Sequence, residues 1–293
     1  MSMTVGRHHW PDEKLISRAL SAKTNKAYWD NLRELRGRAS VSLYERCLAL
    51  TGSELPVERI VGVDILAQLY RKVASKNKRF GLVFPYRKKV LKLFLEMLVV
   101  ENDKNAIHSI LYGISHNNAA GVGAKAIDIL IPFVQSEDKD ICRALVAALS
   151  GIEHMKAVRG LIALSKDRHS ETRNWATFGI GTLSDLDNDE IRNALLARCT
   201  DRHHDTRMEA IYGLAKRKDL RVKKYLEKAS SEWTVYVLES IQALNATEYL
   251  PILESMLRET ENDPETDTYW LGHLQDCIDT LWGGGRMPDS VSK

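Results

Sequence analysis

Proline, glycine and aromatic residues are scarce in this sequence: its 293 residues contain 7 Pro and 17 Gly, and aromatics make up 7%. Sandwiches and propellers punctuate their strands with turn residues every ~8–12 positions, so a turn-dense β fold is excluded. The four cysteines, Cys47, Cys142, Cys199 and Cys277, are far apart and form no CxxC pair. That argues against a zinc ribbon or a disulfide framework and for reduced core thiols. There is no apolar run of about 18 residues, and the opening MSMTVGRHHWPDEK lacks the ~7–15-residue apolar core of a secretory signal. A cytoplasmic protein with no membrane contact is expected. Excess charge is also small, since 42 Lys and Arg face 39 Asp and Glu for a net +3. Such a balance gives no global grip on nucleic acid or anionic lipid.

What is present is 44% hydrophobic and 28% charged residues, enough for a sizeable core and too apolar for disorder. Self-similarity is plain in DRHSETRNWATFGIG, from Asp167 to Gly181, and DRHHDTRMEAIYGLA, from Asp201 to Ala215, which align without a gap at an interval of 34 residues. Each copy opens on a polar turn with an acid in the first turn, Glu171 or Asp205, which complements the helix dipole. Ala176, Gly179, Ile180 and Leu183 then fall at helical spacing, as do Ala210, Gly213 and Leu214, and such small residues let helices approach closely. Between the copies, DNDEIRNALLARCTD reads as a second amphipathic helix with Ile191, Leu195 and Cys199 on one face. The unit is a helical hairpin.

Degraded copies continue both ways. Upstream, LPVERIVGVDILAQL starts a helix at Pro56 and places Arg59 and Gly62 where Arg207 and Ala210 stand. PYRKKVLKLFLEML pairs with NAIHSILYGIS, DICRALVAALSGI supplies Arg143, and WTVYVLESIQAL is followed by TEYLPILESML with Pro251 in the first turn. One such hairpin cannot bury its own apolar face, so the fold class follows as an all-α, right-handed α-solenoid of stacked HEAT-like hairpins. The expected organisation is residues 1–54 as N-terminal helices forming a cap, with two helices within 11–50, then a solenoid over 55–282 and a flexible tail over 283–293. The basic stretch from Arg71 to Lys92 reads as a longer loop.

Recurring charges are read first as structure. Arg59, Arg143, Arg173 and Arg207, with Asp167 and Asp201, form a candidate ladder of inter-repeat hydrogen bonds, because a guanidinium and a carboxylate suit bidentate pairing. Counting from the ladder Arg, the second and fifth following positions vary: Val61, Ser109, Trp175, Glu209 and Glu239, then Asp64, Tyr112, Phe178, Tyr212 and Gln242. These are expected to face outward on the concave side. Of them Trp175, Phe178, Glu209, Tyr212, Glu239, Tyr112 and Asp64 are the candidate partner-binding residues, since large aromatics beside acids make interface hot spots. His169, His203 and His204 with Asp205, like His8 and His9 near Asp12, offer ligand types but no complete tetrahedral set, so no metal is expected.

The Arg71–Lys92 stretch contains no acid and interleaves Phe80, Phe84 and Tyr86 with its cations, a pattern that can also grip single-stranded nucleic acid. The acidic runs SDLDNDE and ETENDPETD read as solvated turns, or as contacts for a basic partner. No GxSxG elbow, Cys and His signature or Gly-rich phosphate loop occurs, so neither a catalytic residue nor a cofactor is expected.

With Arg59-Ile60-Val61-Gly62-Val63-Asp64-Ile65-Leu66, RNWATFGIG and EAIYGLAKR in view, the chain resembles bacterial HEAT-repeat proteins over roughly Leu55 to Leu257. That group carries a lyase label through its similarity to phycobilisome-lyase repeats, and some relatives resemble immunity proteins encoded beside Rhs-type polymorphic toxins. The resemblance implies a non-enzymatic scaffold whose partner is a protein, such as a toxin domain, rather than nucleic acid or a membrane. Three other HEAT-like families give contrasts. Alkylpurine DNA glycosylases use a basic groove, for which Arg71–Lys92, the ladder arginines and Trp175 would have to serve. Deoxyhypusine hydroxylase needs repeated His-Glu pairs, and this sequence has no His followed by Glu. A phycobilin lyase would need a bilin and a phycobiliprotein, for which nothing in the sequence argues.

Overall fold

The computed structural model describes residues 6–74, 80–118, 121–261 and 263–283. Among these, sixteen α-helices form two compact units, Met1–Ile152 and Glu153–Lys293. In the first unit α1 (Asp12–Leu20) packs on α2 (Asn25–Arg36), and α3 (Val41–Thr51) on α4 (Pro56–Leu66). The hairpin of α5 (Arg87–Val100) with α6 (Lys104–Asn117) follows, then that of α7 (Ala124–Leu130) with α8 (Lys139–Leu149). The second unit repeats the scheme with α9 (Met155–Leu164) on α10 (Ser170–Gly181) and α11 (Asp189–Arg198) on α12 (His204–Lys216). It ends with α13 (Lys223–Ala229) on α14 (Val235–Leu244) and α15 (Leu250–Thr260) on α16 (Thr268–Leu281). Within each unit the even-numbered helices also pack on one another in succession. Each unit is thus a stretch of α-solenoid.

Local chemistry sets the helix starts. Side chains of Thr24, Ser40, Asp103, Asp138, Asn188 and Asp267 accept backbone N–H groups that the first turn leaves unpaired. Pro56 and Pro251 occupy first-turn positions, where a missing N–H costs nothing. Thr24 and Ser40 explain why residues 11–50 hold three helices where two were expected: each cap starts a new helix after a short break. The basic stretch is also more ordered than a loop. Arg71–Val73 (β1) and Gly81–Val83 (β2) pair antiparallel, with Lys72 opposite Leu82. Lys76, Lys78 and Arg79 within that stretch, and 284–293 of the expected tail, lie outside the described residues.

The repeat helices α10 and α12 are the second members of their hairpins, because α11 packs mainly on α12, which follows it. Likewise α14 pairs with α13, a short helix the pattern did not reveal, and α15 with α16. In a stack every helix has neighbours on both sides, so spacing alone leaves this choice open. Ala176, Ile180, Ala210 and Leu214 are buried, while Leu183, beyond the end of α10, is 44% exposed. Backbone approaches backbone closely where α12 crosses α10: a Cβ on Gly213 would lie 2.6 Å from the Gly181 Cα. All four cysteines are buried and unbridged, and burial pushes the Cys47, Cys199 and Cys277 thiols up to about 12.

Candidate functional site

The recurring arginines share one local geometry. Arg59, Arg173 and Arg207 each stand four residues after the N-cap of their helix. In each, Nη1 donates to the backbone carbonyls six and five residues upstream: Ser53 and Glu54, Asp167 and Arg168, Asp201 and Arg202. In Arg59 and Arg173 the remaining edge of the guanidinium reaches the next hairpin. Arg59 Nε and Nη2 meet Glu101 at 2.7 and 2.8 Å, and Arg173 meets Asp201 at 2.9 Å on both sides. Each acid lies two residues before the N-cap of the next even helix. Burial alone would raise the Asp201 carboxyl, but the Arg173 fork, the His203 amide and Arg198 together hold it at about 2. The Arg59 fork likewise holds Glu101 below the ordinary carboxylate range.

Counting from the N-cap also shows where the register drifts. On α8 the ladder position belongs to Cys142, whose thiol donates to the Ser136 carbonyl six residues upstream, and Arg143 stands one residue beyond. On α14 Leu238 holds the ladder position, so its second following residue is Ser240 and not Glu239. Asp167 accepts the backbone N–H and Nδ1 of His169 and closes its own turn.

The positions expected to face outward divide sharply. Trp175 is 50% exposed, and its ring meets Phe178 edge-on at 5.7 Å. Phe178, Tyr212, Tyr112 and Glu239 are half-buried. Val61, Ser109, Asp64 and Glu209 are instead buried, the last two at 8% and 4% exposure, which corrects their expected outward placement. The reason is that even helices cover one another's flanks. The Tyr28 hydroxyl of α2 donates to Asp64 Oδ2 at 2.6 Å. In the second unit Tyr236 of α14 donates to Glu209 Oε1 at 2.9 Å, and Thr182 donates to Oε2 at 3.1 Å. Burial raises both carboxyls above their ordinary values and pushes the Tyr236 phenol up to about 12.

Asp64 and Tyr112 meet in a pocket of about 340 Å³ between α2, α4 and α6, with Trp29, Arg36, His108 and His116. Arg36 lies over the Trp29 ring and donates to the Asp64 carbonyl at 2.8 Å. Burial lowers both histidines, which favours neutral rings. Tyr28, Trp29 and Arg36 were missed because α2 lies outside the repeat pattern. The other overlooked residue is Arg217. Buried after α12, it donates to the carbonyls of Ile180, Gly181, Ser184, Leu186 and Gly213, closing the C-terminal end of α10. A cation at that end also complements the helix dipole.

Among the described residues no three His, Cys, Asp or Glu side chains are grouped to hold a metal ion. His203 Nδ1 lies 3.1 Å from the Thr206 hydroxyl, and His204 lies between Asp205 and Glu232. Of the acidic runs, Asp185 pairs with Lys216 and Asp187 with Arg192.

Helices capped in register, with an Arg of one hairpin held by an acid of the next, are the marks of a stacked repeat. Residues 158–245 match the family model of HEAT repeats. The matched HEAT segment runs from within α9 to the end of α14 and includes the Arg173–Asp201 link, Trp175 and Glu209. The X-ray structure of YibA from E. coli superposes with a TM-score of 0.72 at 20% identity, covering 94% of each chain. That likeness is one of fold. A designed armadillo repeat protein, YIII(Dq)4CqI, superposes at 0.43 with 12% identity, over 70% of this chain and 98% of its own. No curated protein matches the sequence. The HEAT-like hairpins make a scaffold suited to protein interaction, and among the described residues no helix is long and apolar enough to cross a membrane.

Proposed function

We propose that this chain is a non-enzymatic, cytoplasmic protein-binding scaffold, and that its partner is a bacterial toxin domain which it binds and neutralises as an immunity-type protein. The observation that carries the binding role is Trp175, half-exposed on α10 beside Phe178, in a helix held by the Arg173–Asp201 pair and packed on α12. A large aromatic on a rigid support has little freedom to lose on binding, which is what an interface anchor requires. In the same unit Tyr212 on α12 and Glu239 on α14 are half-buried, and buried Glu209 holds the Tyr236 hydroxyl; in the first unit Asp64 holds that of Tyr28. The toxin assignment draws on the resemblance to immunity proteins.

Affinity capture of the tagged chain from its host, with mass spectrometry and nuclease treatment in parallel, tests the reading. One stoichiometric, nuclease-resistant protein is expected, lost on Trp175→Ala. Expressed alone that protein should arrest growth, and this chain should restore it. A partner that does not arrest growth would leave the scaffold and remove the toxin.

A second reading, DNA binding, draws on the β1–β2 hairpin, where Phe80 is 74% exposed beside exposed Arg71 and Lys72. It requires salt-sensitive affinity for single-stranded DNA, and absence of binding at low salt would remove it.

A further inference from the structure

The ladder has one open rung. Arg207 holds the Asp201 and Arg202 carbonyls with Nη1, as its counterparts hold theirs, yet its Nε and Nη2 edge meets no carboxylate among the described residues. The acid in register is present: Glu232 stands two residues before the N-cap of α14, the place that Glu101 and Asp201 take before α6 and α12. Its carboxylate lies instead 3.0 Å from His204 Nε2. Trp233, between Glu232 and that cap, has a left-handed backbone with φ of 43°, which Arg202 at the matching position lacks, so the chain enters α14 differently.

Arg207 lines a pocket of about 610 Å³ between α12 and α13, as do the paired His204 and Glu232. Lys224 and Lys228 line the same pocket from α13 and form no ion pair among the described residues. Met208, Ile211 and Tyr225 supply an apolar wall. Asp201, also in the lining, already has its oxygens engaged by Arg173 and Arg198. We infer that this pocket receives a carboxylate from an acidic segment of a partner protein, seated on the Arg207 fork as Glu101 is on Arg59 and Asp201 on Arg173. Two internal copies of the same arginine geometry already bind carboxylates, and that favours a planar carboxylate as the ligand. The pocket shares no residue with the Trp175 surface and stands whether or not that surface binds a toxin.

The test is titration of the full chain with an acetylated, amidated tetraglutamate peptide, and separately with inorganic phosphate, followed by amide NMR shifts. Saturable shifts around α12 and α13 are expected with the peptide, weakened at least about tenfold in Arg207→Lys, which keeps the charge and loses the fork. Because Arg207 also holds its own turn, the exposed pair Lys224→Gln and Lys228→Gln serves as a second variant, and it too should weaken binding while leaving the melting curve unchanged. Glu232→Gln should bind the peptide at least as well as the parent chain. No binding by the parent chain, or undiminished binding by both sets of variants, overturns the assignment. So does phosphate saturating the pocket where the peptide does not. A stability loss in Glu232→Gln that vanishes when Arg207 is also Gln would show that the rung closes on itself in solution, and would overturn it as well.

Discussion

Arg173 and Asp201 face each other as two parallel hydrogen bonds, both 2.9 Å, across 28 residues of sequence, with side chains 6% and 4% exposed. The same guanidinium closes the turn that starts its own helix. One side chain thereby sets both a helix start and the seating of the next hairpin. Replacing it by alanine strips the buried Asp201 carboxylate of its fork and leaves it Arg198 and the His203 amide, at an expected cost of up to about 3–5 kcal/mol in denaturant unfolding. Lysine should recover little, because a single ammonium cannot serve the carboxylate and the two carbonyls together.

The same pair makes an acid-labile contribution. Asp201 is held at about 2, below the ordinary carboxylate value of about 3.9. A group depressed on folding stabilises above its unfolded value and loses that stabilisation as pH falls through its folded one. The stability gap between the parent chain and Asp201→Asn should therefore be full at pH 5 and close as pH falls toward 2. A gap that stays constant over that range would contradict the pairing.

Glu209 carries the opposite sign. Its carboxyl is raised by burial, so whatever stability it adds is present at low pH and is lost as pH rises through its folded value. Glu209→Gln keeps an oxygen to accept from Tyr236 and removes the charge. Its melting temperature should equal or exceed that of the parent at pH 8, with the advantage disappearing toward pH 4.

Gly213→Ala places a methyl 2.6 Å from the Gly181 Cα, where only backbone can yield, and should cost about 1–3 kcal/mol. Gly272→Ala on α16 is the control. Nothing lies within 4 Å of its added methyl, and relief of glycine's helix penalty should stabilise by up to about 1 kcal/mol.

Trp175→Ala should change stability by less than about 0.5 kcal/mol, as an exposed position does. If Trp175 anchors the partner, the same change should weaken binding by 2 kcal/mol or more, about thirtyfold, as measured by calorimetry. A large fall in melting temperature would place the indole in the packing instead.

Helix content and the 34-residue repeat were open to view in the sequence, because capping residues and apolar spacing act within a turn or two of the backbone. The arginine ladder was visible for the same reason, as a residue type recurring at a fixed distance from each cap. One proposed ladder residue and one proposed outward position show the limit. Arg143 and Glu239 were placed by looser alignment and stand one residue out of the N-cap register. The β1–β2 hairpin was hidden under its charge, although Phe80 to Phe84 is a run of β-prone residues broken by a single glycine.

By itself, the sequence determined an all-α stack whose hairpins are tied by arginine, since those features depend on local hydrogen bonding and on a repeated spacing. Only the tertiary structure decided which helices pair as hairpins, which flank of each is covered, and which acid an arginine meets. Asp64 and Glu209 occupy positions that look exposed on a lone helix, and a tyrosine from a neighbouring helix buries each of them. Glu232 stands in register to close the last rung, and a left-handed residue beside it sends its carboxylate to His204. Burial and pairing are set by what a neighbouring hairpin brings within reach, and that information is not carried on any one helix.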